Sequence, residues 1–252
     1  MPRAVEVANG KNARRRFFTL VTRRPAFADS HLDPQVFLAE LRKIRPFDAA
    51  EGVRSFYRLY AARFGKERCG DKSPTHRRHM PLIERLLPEA RFVHVIRDGR
   101  DVALSRRGLW FESEDSIEGL AGTWMEEVGT TRREGASLGH YSEICYEDLV
   151  TRPEETLRAV CRFIRLDYDP AMLRYYENAA NRLDELETRY NRDGTVRVAS
   201  EQQRALLDRT TRPPDETRIG RWKSEMIPSD IARFERVAGP LLRELGYHTA
   251  SK

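Results

Sequence analysis

The stretch Pro88-Glu89-Ala90-Arg91-Phe92-Val93-His94-Val95-Ile96-Arg97-Asp98-Gly99-Arg100-Asp101-Val102-Ala103-Leu104-Ser105 decides the fold. Arg91 to Ile96 is short, β-branched and aromatic, and it is bounded by a turn at Arg97-Asp98-Gly99, so it reads as a strand. A helix through Val102, Ala103 and Leu104 follows it. A second strand is predicted around Tyr141 to Cys145, after a helix from Ile117 to about Arg133 and before one from Pro153 to Ile164. Strands alternating with helices imply a parallel sheet flanked by helices, an α/β fold.

Outward from this block the pattern is mostly helical. Asp33-Pro34 has the form of an N-cap followed by a first-turn proline, with Val36, Phe37, Leu41 and Ile44 on one face of the helix it opens. A second helix runs from Asp48 to Phe64, with Val53, Phe56, Tyr57 and Tyr60 inward and Gly65 as its stop. A third spans His79 to Leu87, stopped by Pro88. Phe17 to Val21 reads as a short strand. Residues 170–215 read as polar and largely helical, broken at Asn191-Arg192-Asp193-Gly194 and Pro213-Pro214, with Asp184, Glu185 and Glu187 on a solvated face. A closing amphipathic helix runs from Pro228 to Leu245, with Gly246 as its stop.

The chain has 252 residues, 45 Lys+Arg and 39 Asp+Glu, for a formal charge of +6. That charge is localised. Residues 1–24 hold seven basic residues against Glu6 alone, which leaves 38 of each sign in residues 25–252. The expected organisation is therefore a basic arm over 1–24 and a single α/β domain over 25–252. A charge-balanced body argues against nucleic acid as a partner. No apolar run approaches the roughly 18 residues of a membrane span, and nothing resembles a signal peptide. Cys69, Cys145 and Cys161 show no metal or disulfide spacing, which fits a cytoplasmic protein without a metal.

In an open α/β sheet, ligands sit beyond the carboxyl ends of the strands. Arg97 lies at such an end, and Ser105, two helical turns on, can point back toward it. An arginine fork with a hydroxyl suits a phosphate or sulfate oxyanion, unless Arg97 pairs with Asp98 or Asp101 instead. Gly65 to Ser73 approaches a Walker A loop, but Asp71 breaks the spacing before Lys72 and no hydrophobic strand precedes it.

The 88–102 stretch resembles the 3′-phosphate-binding segment of sulfotransferases that use 3′-phosphoadenosine 5′-phosphosulfate (PAPS), in particular the bacterial and tyrosylprotein-sulfotransferase-like branch. Two further segments share the resemblance: Tyr146-Glu147-Asp148-Leu149 is similar to a turn in that family, and Arg218-Ile219-Gly220-Arg221-Trp222-Lys223 is similar to a donor-covering segment. The resemblance implies a P-loop-NTPase-like sulfotransferase fold and transfer of a sulfuryl group from PAPS to a small-molecule or peptide hydroxyl. Arg97 and Ser105 would hold the 3′-phosphate and Tyr146 the adenine, with Arg218, Gly220, Arg221 and Trp222 covering the donor. Lys72 resembles the lysine of the family's Lys-[Ser/Thr]-Pro turn, where an ammonium stabilises the leaving phosphate oxygen. In the cytosolic branch the base follows that lysine by two residues, where this chain has Pro74; His76 and His79 are the nearby alternatives.

The family opens with a strand, a Gly- and Ser/Thr-rich loop and a helix that cradle the 5′-phosphosulfate. Asn9-Gly10-Lys11-Asn12 has one glycine and no Ser or Thr, so the expectation is a fold lacking its first βα unit. The competing expectation is a truncated, non-catalytic chain that keeps only the 3′-phosphate half-site.

Overall fold

The computed structural model describes residues 12–107, 116–191 and 193–249. Its elements in chain order are α1 (Ala13–Thr22), α2 (Pro34–Lys43), α3 (Ala49–Ala62), α4 (Met80–Leu86), β1 (Phe92–Ile96), α5 (Gly99–Arg106), α6 (Ile117–Gly135), β2 (Tyr141–Cys145), α7 (Tyr146–Thr151), α8 (Pro153–Ile164), α9 (Tyr176–Leu183), β3 (Arg189–Tyr190), β4 (Val196–Val198), α10 (Ser200–Leu207), α11 (Trp222–Glu225) and α12 (Pro228–Glu244). The chain divides into two compact units, Met1–Pro88 with Arg174–Pro213, and Glu89–Leu173 with Pro214–Lys252. Trp110, Phe111, Arg192 and the Asn9-Gly10-Lys11 stretch lie outside the described residues.

The first unit is built on an aromatic core. Phe17, Phe37 and Leu41 are fully buried, with Val21 and Val53 beside them. Phe17 meets Phe47 at 5.6 Å between ring centres, and Phe37 meets Phe56 edge-on at 5.8 Å. Burying one such side chain contributes about 1.5–3 kcal/mol. The strand expected at Phe17 to Val21 is instead the middle of α1. Phe17 and Val21 are four apart and both buried, so a helical stripe satisfies them together and overrides their local β preference. Of the basic residues expected in an arm, Arg14 is tied in, donating from Nη2 to the Ile44 carbonyl at 2.7 Å.

Asp33 caps α2 through the Gln35 amide at 2.7 Å, as the sequence predicts, and Asp48, expected as the first residue of the next helix, instead caps α3 through the Ala50 amide at 2.9 Å. Val36 departs from expectation: it is exposed, because the inward stripe of α2 is carried by Phe37 and Leu41. In 174–213 the largely helical reading misses a hairpin, β3 paired antiparallel with β4. Asp193 nucleates its turn by accepting from the Thr195 amide at 2.9 Å. Glu185 is not on a solvated face; it is paired with Arg63 and Arg182 and is 18% exposed.

In the second unit β1 and β2 run parallel in the register Phe92↔Tyr141 through Ile96↔Cys145. Helices α6 and α12 supply most of its core: Ile117, Leu120, Ala121, Trp124, Phe234, Ala238 and Leu242 pack with Ile96 and Ala103. The stretch from Tyr146, expected as a turn, opens helix α7 directly from the end of β2. This is the α/β arrangement with a parallel sheet and flanking helices expected from the alternation of elements. Among the described residues no helix is long and apolar enough to cross a membrane.

Candidate functional site

The parallel register explains why Arg97 and Tyr146 meet. Each is the residue just after its strand, and neighbouring strands lie about 4.8 Å apart. The Arg97 guanidinium carbon accordingly sits 4.6 Å from the centre of the Tyr146 ring. Asp98 then caps α5 by accepting from the Arg100 amide at 2.9 Å, which starts the helix at once and returns Ser105 toward the strand end. Arg97 Nη1 reaches Ser105 Oγ at 3.5 Å. The Arg97 backbone is held by Trp124, whose indole N–H donates to its carbonyl at 3.2 Å. Gly99 permits that approach, because a Cβ there would lie 2.5 Å from the Trp124 ring.

The 218–222 segment joins the same cluster. Arg97 Nη2 donates to the Arg218 carbonyl at 2.5 Å. Asp101, fully buried, accepts from the Gly220 amide on Oδ2 at 2.7 Å and from the Trp222 amide on Oδ1 at 3.0 Å. The backbone reaches this position with Gly220 at φ +70°, a region that favours glycine. The plane of Trp222 is set by Arg100, whose guanidinium carbon lies 3.5 Å from the indole centre. Arg100 is 1% exposed and pairs with Asp98 at 2.8 Å and Glu235 at 2.7 Å, so its charge is compensated on both sides. Arg221 forms a bidentate pair with Glu225, and those hydrogen bonds push its guanidinium above its ordinary value. Glu147 accepts from the Asp98 amide and from the Tyr247 hydroxyl, both at 3.0 Å. Burial, and then the charge of Glu147, pushes the Tyr247 hydroxyl up, so it stays a donor.

One donor in this cluster is left over. Arg97 Nε is buried with no hydrogen-bond partner among the described residues. A buried N–H without an acceptor costs roughly 1–3 kcal/mol, and an oxyanion at this position relieves it. With Ser105 Oγ beside it, the cluster suits an oxyanion such as phosphate or sulfate. Arg97 also lies 3.7 Å from Asp101, so the pairing considered from sequence exists, but it occupies Nη2 alone.

Lys72 and His76 lie in the first unit, on the loop between α3 and α4. Lys72 is exposed and no described residue pairs with it. Asp71 does not neutralise Lys72; its Oδ2 accepts from the Tyr57 hydroxyl and contacts His76 Nε2, each at 2.9 Å. The His76 hydrogen bond is the main cause holding the Asp71 carboxyl below its ordinary value. Burial and then the Asp71 charge push the Tyr57 hydroxyl up. His79, the other histidine considered from sequence, opens α4 without a side-chain cap hydrogen bond.

Sequence reasoning thus named Arg97, Ser105, Tyr146, Arg218, Gly220 and Trp222, which the structure brings together within one unit. It missed what Asp101 and Arg100 hold in place, having considered Asp101 only as a partner of Arg97, and it missed the contacts of Glu147 and Glu235. A local signal existed for the first two: in Arg97-Asp98-Gly99-Arg100-Asp101 the alternating charges sit against a core helix, where each charge needs a partner. Among the described residues no group of three or more His, Cys, Asp or Glu is placed to hold a metal.

The chain resembles a sulfotransferase domain from the curacin biosynthetic pathway with a TM-score of 0.56 and 18% identity, covering 89% of this chain and 78% of that one. A sulfotransferase domain from the Synechococcus PCC 7002 olefin synthase gives 0.56 and 19%, over 88% and 74%. These likenesses show the fold. Among sequences, a putative protein-tyrosine sulfotransferase of Caenorhabditis briggsae is 23% identical over 80% of this chain and 69% of its own length. Protein-tyrosine sulfotransferase 1 of Danio rerio is also 23% identical, and there the chain spans about half of the relative, 47%. With residues 2–170, which contain β1, α5, β2 and α7, matching the sulfotransferase family, the chain belongs to that family.

Proposed function

We propose that this chain transfers a sulfuryl group from PAPS to a hydroxyl acceptor. The observation that carries the reading is the convergence of Arg97, with its unpartnered buried Nε, on Ser105 and Tyr146 at the carboxyl ends of two parallel strands. In this reading Arg97 and Ser105 hold the 3′-phosphate of the donor. A guanidinium presents a planar fork to phosphate oxygens, which an ammonium cannot. Tyr146 offers its ring to the adenine. The 218–222 segment, with Gly220, Arg221 and Trp222, covers the donor, held in place by Asp101.

Sulfuryl transfer places negative charge on the bridging oxygen of the departing 3′,5′-ADP. Lys72 supplies the compensating ammonium, and its lack of a carboxylate partner leaves that charge available. His76 takes the proton of the acceptor hydroxyl. The names of the relatives make the phenolic hydroxyl of a tyrosyl peptide the first acceptor to try.

The test is 3′,5′-ADP binding by calorimetry, for the wild type and Arg97→Ala, followed by turnover of PAPS with a tyrosyl peptide. Losing charge-assisted hydrogen bonds worth about 1.5–3 kcal/mol each predicts at least a tenfold drop in affinity. No measurable binding by the wild type, or affinity untouched by the substitution, overturns the site assignment. Binding without turnover on any hydroxyl acceptor would favour the non-catalytic alternative.

A further inference from the structure

We propose that Asp71 is a positioning residue that fixes which ring nitrogen of His76 faces a substrate proton; this rests on the reading of His76 as the base. The argument begins with the atoms. Asp71 Oδ2 accepts from the Tyr57 hydroxyl and lies 2.9 Å from His76 Nε2. A carboxylate only accepts, so the shared proton is on Nε2. In the neutral ring Nδ1 then carries the lone pair, and it has no hydrogen-bond partner among the described residues. The depressed Asp71 carboxyl keeps that acceptor ionised, and the raised Tyr57 hydroxyl remains its second donor.

The local chain holds the ring in this orientation. Ser73 Oγ lies 2.8 Å from Thr75 Oγ1 and accepts from the Thr75 amide, while the His76 amide donates to the Ser73 carbonyl at 3.1 Å. This turn folds residue 76 back onto residue 71 and carries Lys72 between them in sequence. An acid that orients a histidine, and a histidine with its other nitrogen free, have the division of labour of a base and its orienting group. During transfer the acceptor oxygen bonds to sulfur as the bond from sulfur to the bridging phosphate oxygen breaks. The electron pair of that bond leaves with 3′,5′-ADP, the acceptor proton passes to Nδ1, and the resulting imidazolium is paired with Asp71.

Two measurements on the full chain test this. The first is long-range proton–nitrogen NMR of histidine-labelled protein, with the His76 signals identified by their loss in His76→Gln. At a pH where the ring is neutral, the wild type should show a single Nε2–H tautomer, and Asp71→Ala an averaged mixture. The second is kinetics. Asp71→Ala should lower kcat about 100-fold, within the range expected for general-base catalysis, with the KM for PAPS and the affinity for 3′,5′-ADP unchanged. In a His76→Ala background the Asp71 substitution should cost nothing further, an outcome that a merely structural role would not produce. An averaged tautomer in the wild type, or additive losses in the double variant, overturns the proposal while leaving the donor site intact. A wild type that fails to bind 3′,5′-ADP overturns the donor reading, and the base role with it, whatever the tautomer.

Discussion

The Arg97 guanidinium is divided between two tasks. Nη2 serves the protein, donating to the Arg218 carbonyl beside Asp101, while buried Nε has no partner among the described residues. A lysine at this position could satisfy one task but not both, so Arg97→Lys is expected to lose most of the affinity for 3′,5′-ADP seen in the wild type, as measured by calorimetry. Ser105→Ala removes one neutral hydroxyl and should weaken binding only about three- to tenfold. Lys72→Ala separates the other way: kcat should fall about 100- to 1,000-fold, with 3′,5′-ADP affinity nearly unchanged, in parallel turnover and binding assays. Asp71 also makes an acid-range prediction. Its carboxyl is lower in the folded chain than in the unfolded one, so its stabilisation is complete above about pH 4 and lost as pH falls through the depressed value. Urea denaturation between pH 5 and pH 2, as a rough window, should therefore show a shallower loss of stability in Asp71→Asn than in the wild type.

Helix α5 acts as an element in its own right, because the two buried carboxylates at its start fix the helix itself and a distant chain segment. Asp98 caps it and pairs with Arg100; Asp101 ties the Gly220 and Trp222 amides to it. Asp101→Asn keeps the shape but removes the charge and one acceptor. Hydrogen exchange at the Gly220 and Trp222 amides should then accelerate about tenfold or more, the scale of one charge-assisted hydrogen bond. Equal exchange in both proteins would mean that the segment is held by its own α11 turn instead. The start of the same helix is set by packing. Gly99→Ala would drive a Cβ into the Trp124 ring, 2.5 to 2.8 Å from its atoms, and should destabilise the chain by roughly 1–3 kcal/mol in a melting experiment.

For the molecule as a whole, donor binding and stability are linked. At 3′,5′-ADP about 100 times above its dissociation constant, the folded chain gains about 2.7 kcal/mol. For a protein of this size that is a rise of roughly 5–10 °C in Tm, which Arg97→Ala should abolish in a thermal-shift assay. The strand at 92–96, the Asp33 cap, the strand at 141–145 and the helix from Pro153 were all legible in the sequence, because each is specified by residues within a few positions of one another. The approach of Ser105 to Arg97 was legible for a related reason, one short-range spacing along a helix, whereas Tyr146 was named only by the family resemblance and meets Arg97 through a parallel register that no local spacing encodes. Phe17 to Val21 was misread because five residues fit a strand or a helix equally well, and only the buried face shared with Phe37 and Phe47 selects the helix. The Asp101 contacts to Gly220 and Trp222, and the Arg100 contact to Glu235, join residues more than 100 positions apart. No local periodicity encodes such pairs. The sequence by itself determined which residues could grip an anion; the tertiary structure decided which of their neighbours hold that grip in place, because a buried charge takes its partner from whatever the fold brings within reach.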